Sequence, residues 1–181
     1  MDDLEITKTE QLWHWLAAHH GQAESIRLIT WKAAHPDKYV SREAVLDALI
    51  AHGWIDGRRF VVDKDRTAQL IAPRQQQAWS QSYKDRAAKL EAEGRMQDAG
   101  RAVIAAGRAS GLWDFFADVD ALIVPEDLAA VLDIAKWEAL APSSRRNVLR
   151  WIKLAKTDPT RAKRISAAAS ATAKGEKLPQ M

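Results

Sequence analysis

A chain of 181 residues is long enough for one substantial core or two small ones, because a domain near 150 residues buries roughly 70% of the surface its unfolded form exposes. The absence of cysteine excludes disulfides, thiolate zinc sites, iron–sulfur ligation and cysteine nucleophiles. The net charge of +3 hides a split at Pro142: residues 1–141 carry 17 Lys+Arg against 22 Asp+Glu and residues 142–181 carry 10 against 2, which marks the basic end as the place for an anionic partner.

The first ten residues, MDDLEITKTE, lack the basic start and apolar run of a secretory signal, and no apolar stretch approaches the ~18 residues of a membrane helix. A cytoplasmic protein is the expectation. Thr7 and Glu10 have capping-box spacing ahead of Leu12, Trp13, Trp15 and Leu16, so a helix is predicted up to Gly21. SIRLITWKAA alternates through Ile26, Leu28 and Thr30 and predicts a strand. A second helix is predicted from Ser41 to about His52, with Gly53 as a left-handed stop.

Residues 54–73 return to strand patterning, with WIDGRRFVV and TAQLIAP joined through the polar turn DKDR. Helical periodicity then covers about 76–93, 97–110, 125–134, 143–156 and 159–173, with Pro125, Pro142 and Pro159 at or near helix starts, where a missing N–H costs least. Residues 112–124 read as an apolar and acidic connector. In the helix at 143–156, Val148, Trp151, Ile152 and Ala155 share one face, while Arg146, Arg150 and Lys153 share the opposite one.

The pattern predicts a mostly helical α+β protein in which a small antiparallel sheet of about three strands is covered by helices and followed by a basic helical C-terminal unit. The expected organisation is an α+β core over 1–120, a helical unit over 121–175 and a flexible tail over 176–181.

The stretches AHGWIDG, APRQQQAWS, EAEGRM and LAPSSRRNVLRWIKLAKTDPTRAKRI occur in the order seen in the YdeI/OmpD-associated family of bacteriocin-protection proteins, and the chain resembles that family over nearly its whole length. The resemblance implies a role in stress or bacteriocin resistance and no established reaction. Where the family usually carries threonine, serine and asparagine, this chain has Ala72, Ala78 and Ser82, which removes hydrogen-bonding groups from one neighbourhood.

The hairpin joining WID to APR predicts that Trp54, Asp56, Arg74, Trp79 and Ser80 are neighbours. A guanidinium between two indoles and beside a carboxylate suits a planar or anionic small ligand. The same residues also satisfy a purely structural account, in which Asp56 and Gly57 make a turn, Arg74 pairs with Asp56 and the indoles fill the core. Arg145, Arg146, Arg150, Lys153, Arg161 and Arg164, interspersed with Trp151, form a candidate anion-binding face, although basic faces are commonly just solvated.

The five histidines have no metal-ligand spacing, and no nucleophile elbow or glycine-rich phosphate loop is present, so neither a metal nor a cofactor is expected. Three functions remain open. The first is a protection protein that binds a small ligand or an anionic partner. The second is an enzyme using an Asp56/Arg74 pocket, and the third is a non-specific nucleic-acid or envelope-associated binder acting through the C-terminal helices.

Overall fold

The computed structural model describes residues 2–178, which form two compact units, one ending at Asp114 and the other beginning at Phe115. The first unit is built on a sheet whose strands are β1 (Asp3–Glu5), β2 (Ile26–Trp31), β3 (Trp54–Val61) and β4 (Arg66–Pro73), in the order β1-β2-β4-β3. The hairpin is as the alternation predicts: β3 and β4 run antiparallel with Trp54 opposite Pro73 and Asp56 opposite Ile71. Its turn is closed by the Asp63 carboxylate, which accepts from the N–H groups of Asp65 (2.8 Å) and Arg66 (2.7 Å).

Two expectations about the sheet are corrected. It has four strands instead of three, and it is mixed, because β1 adds parallel to the free edge of β2 with Asp3 opposite Arg27. Three polar-flanked residues show no period, and β1 is held from outside itself by two 2.6 Å hydrogen bonds from Arg27 to the Asp3 carboxylate. The Asp56-Gly57 turn is also corrected: both lie within β3, where a register shift between Asp56 and Arg59 takes up the irregularity.

Two helices, α1 (Thr9–His19) and α2 (Arg42–Ala51), pack with the sheet around Ile6, Leu12, Leu16, Leu28, Leu49, Trp54 and Ile71. Each such side chain contributes roughly 1.5–3 kcal/mol by leaving water. The predicted Thr7/Glu10 box does not start α1; Gln11 does, its side-chain oxygen accepting from the N–H groups of Thr7 (2.8 Å) and Lys8 (3.0 Å). Ser41 caps α2 by accepting from the Ala44 N–H at 3.1 Å, and Gly53 stops it with φ +75°. The unit is completed by α3 (Gln81–Ala92) and α4 (Asp98–Ala109). Ile50, Ala51, Ala87, Leu90 and Met96 form the cluster that ties these helices to α2.

The second unit holds α5 (Ala117–Asp120), α6 (Glu126–Ala129), α7 (Ile134–Glu138), α8 (Pro142–Lys153) and α9 (Asp158–Lys174). The helix predicted over 125–134 is two short ones, because the chain leaves helical geometry after Ala129 and starts again at the Asp133 cap, which accepts from the Lys136 N–H at 3.2 Å. No helix among the described residues is long and apolar enough to cross a membrane. Of the tail expected over 176–181, Leu178 is buried, and residues 179–181 lie outside the described residues.

Candidate ligand site around Arg74 and the basic C-terminal face

Arg74 follows directly on β4, where its backbone N–H donates to the Gly53 carbonyl at 2.9 Å and locks the entry of the hairpin to its exit. Its side chain is 6% exposed. The guanidinium lies 3.8 Å from the ring centre of Trp79 and 5.3 Å from that of Tyr83. Its Nη2 donates to the carbonyls of Ala78 (2.9 Å) and Gln77 (3.3 Å), whereas Nε and Nη1 are buried and have no hydrogen-bond partner. Burial lowers its pKa from 12.5 to about 10, against the opposing pull of Tyr83 and Asp56, so it is a cation at neutral pH.

Asp56 reaches this cluster through Tyr83. The Tyr83 hydroxyl donates to Asp56 Oδ1, and the Gln69 amide donates to Oδ2 at 2.9 Å. The Arg42 guanidinium stands 4.0 Å from the same carboxylate. Burial, reinforced by the hydrogen bond to Asp56, raises the Tyr83 pKa, so this phenol stays protonated and acts as a donor. Asp56 and Arg74 therefore flank one tyrosine; the direct pair allowed by the structural account of the sequence does not form.

The structure also separates Trp54 from the guanidinium. Its indole is 1% exposed and meets Trp15 edge to face, with ring centres 5.5 Å apart. Trp79 is instead joined by Tyr83, which supplies the second ring at Arg74. Ser80 is the N-cap residue of α3, and its hydroxyl lies 3.1 Å from that of Ser82. Tyr83, Gln69 and Arg42 carry as much of the site as the predicted residues do. Sequence reasoning missed Tyr83; its spacing of four from Trp79, within the helix predicted over about 76–93, is the signal that would have found it.

The basic face of the second unit is largely neutralised from within. Lys153 pairs with Asp118 at 2.5 Å, and Arg150 stands 3.9 Å from Asp120 and 5.0 Å from the ring centre of Phe116. Arg161 grips Asp127 with two hydrogen bonds, at 2.6 and 2.8 Å, which hold that carboxyl below its ordinary range. Arg164 donates to the Trp151 carbonyl. Among the described residues, Arg145 and Arg146 make no such ion pair, and the Arg145 Nε is buried without a partner. Val148 and Ile152 of α8 are buried as the helical period requires, but the opposite face is held by acids of α5 and is not freely solvated.

Residues 4–103 match the model of a family described as a domain of unknown function (DUF8412). Residues 121–175 match the model described as bacteriocin-protection, YdeI or OmpD-associated. No curated protein and no solved structure matches the chain.

Proposed function

We propose that this chain, which belongs to the DUF8412 family over more than half its length and carries a bacteriocin-protection, YdeI or OmpD-associated unit at residues 121–175, acts by binding a small anionic ligand in its first unit. The observation that carries this reading is the Arg74 guanidinium, a buried cation with two unpartnered nitrogens. A buried polar group left without a partner costs roughly 1–3 kcal/mol, and more when it is charged. A ligand carboxylate or phosphate that accepts from one of these nitrogens would offset part of that cost.

Recognition fits the cluster better than proton transfer. The Asp56 carboxylate is already occupied by Tyr83 and Gln69, and the raised pKa of Tyr83 makes it a poor acid. The match to the bacteriocin-protection family lies in the C-terminal unit, at residues 121–175. The enzymatic alternative needs a free base at Asp56. The polyanion alternative rests on Arg145, Arg146 and the exposed Lys156 and Lys163.

Native mass spectrometry of the full chain, purified under non-denaturing conditions from its own host, tests the proposal. A small mass increment in the parent that is absent from Arg74→Gln is the expected result. An increment retained by Arg74→Gln, or none in the parent, overturns it.

A further inference from the structure

A cavity lies on the sheet, beside the first turn of α2. Cross-strand pairs form its floor: Thr30 faces Thr67 with their hydroxyls 3.4 Å apart, and Gln69 faces Arg59, whose Nη2 donates to the Gln69 side chain at 3.3 Å. Trp31, the last residue of β2, and Tyr39, in the segment after it, form aromatic walls. The space, open to solvent on one side, is about 260 Å³. At about 30 Å³ per water this is room for some nine waters, or a ligand of about a dozen heavy atoms.

The lining carries an excess of positive charge. Lys32, Arg42 and Arg59 contribute to it, and no carboxylate does. The Lys32 ammonium donates only to backbone carbonyls, those of Asp63 (3.3 Å) and Lys64 (2.8 Å), so its charge is not cancelled. Arg42 has a carboxylate no nearer than Asp56 at 4.0 Å, and Asp56 is turned to Tyr83 and Gln69. The first turn of α2 adds the positive end of a ten-residue helix. The Tyr39 ring, 45% exposed, is available for stacking, while Trp31 already carries Lys38 at 4.3 Å from its ring centre.

We infer that this cavity binds a one-ring planar monoanion, an aromatic carboxylate, with its anionic group between Arg42 and Arg59 and its ring against Tyr39. The two guanidiniums offer forked donors to a planar anion, and one ring plus one acidic group fills the volume. This inference does not use the Arg74 guanidinium, although Arg42 and Gln69 border both that neighbourhood and this cavity.

Ligand-observed NMR titration of the full chain with salicylate, and with salicylamide as its neutral counterpart, tests it. Salicylate should bind at least tenfold more tightly than salicylamide. Arg59→Gln should weaken salicylate binding about tenfold and Arg42→Gln severalfold, with Arg59→Lys recovering part of the loss. Both arginines are exposed, so unchanged circular dichroism of each variant separates a lost contact from a lost fold. Equal binding of the two probes, or undiminished salicylate binding in the Arg42→Gln/Arg59→Gln double variant, overturns the inference. Arg74→Gln should leave this binding unchanged; if it alone abolishes binding, the probe sits at Arg74 and the cavity assignment is wrong.

Discussion

Arg74 holds two guanidinium nitrogens out of water with nothing to accept from them, and this determines how its replacements should differ. Arg74→Ala removes the packing against Trp79 and Tyr83 and leaves a void, so it should cost about 2–4 kcal/mol by urea denaturation. Arg74→Met keeps most of that volume and removes the unpartnered donors, so its stability should stay within about 1 kcal/mol of the parent. A Met variant as unstable as the Ala variant would show that the charge itself holds the fold. His52 makes a second prediction. It is 4% exposed, its Nδ1 lies 2.8 Å from the Ala48 carbonyl, and burial depresses its pKa below 6.5. The unfolded chain therefore binds the proton first. The stability that His52 contributes is fully present above about pH 6.5 and is lost as pH falls through the lower folded-state value. His52→Gln should flatten the fall in stability between pH 7 and pH 5, whatever its cost at neutral pH.

At the scale of elements, α4 depends on two glycines seven residues apart on one face. A Cβ on Gly100 would lie 2.4 Å from the Ala51 carbonyl oxygen and 2.8 Å from that of Ile50, and backbone cannot step aside as a side chain can. Gly100→Ala gains about 1 kcal/mol of helix propensity, but it forces α4 off α2, so a net loss of about 1–2 kcal/mol is expected in thermal or urea unfolding. Gly107→Ala meets the Trp79 indole nitrogen at 2.6 Å. Because Trp79 is the ring beneath Arg74, that substitution should alter near-ultraviolet circular dichroism and weaken ligand capture with less damage to the fold. Alternation marked β2, β3 and β4 and their hairpin, and caps and prolines marked most helices. β1 was invisible because its stability comes from Arg27, twenty-four residues away, and not from any local pattern.

For the molecule as a whole, charge is distributed differently in space and along the chain. Up to Asp114 there are 16 Lys+Arg against 16 Asp+Glu, and from Phe115 onward 11 against 8. The excess beyond Pro142 is drawn down by Asp118, Asp120 and Asp127, which precede that point in sequence and face Lys153, Arg150 and Arg161. Binding to duplex DNA should therefore have a shallow salt dependence, at about −0.9 in log affinity per phosphate neutralised. Arg145→Gln/Arg146→Gln should flatten that slope more than Arg150→Gln/Lys153→Gln does. Equal effects in titrations at several salt concentrations would mean that the acid pairs open on binding.

The sequence by itself determined β2, β3 and β4, most of the helices, the α+β class, the start of α2 at Ser41, the Gly53 stop and the neighbourhood of Arg74 with Trp79, because each depends on residues within a few positions or across one hairpin. Only the tertiary structure decided which charges survive. Tyr83 stands between Asp56 and Arg74, α5 acids meet the α8 cations, and Lys32 from the loop after β2, Arg42 from α2 and Arg59 from β3 converge on one cavity. Periodicity reports which face of an element leaves water, whereas a charge is cancelled or left unpaired by whatever side chain the topology brings beside it.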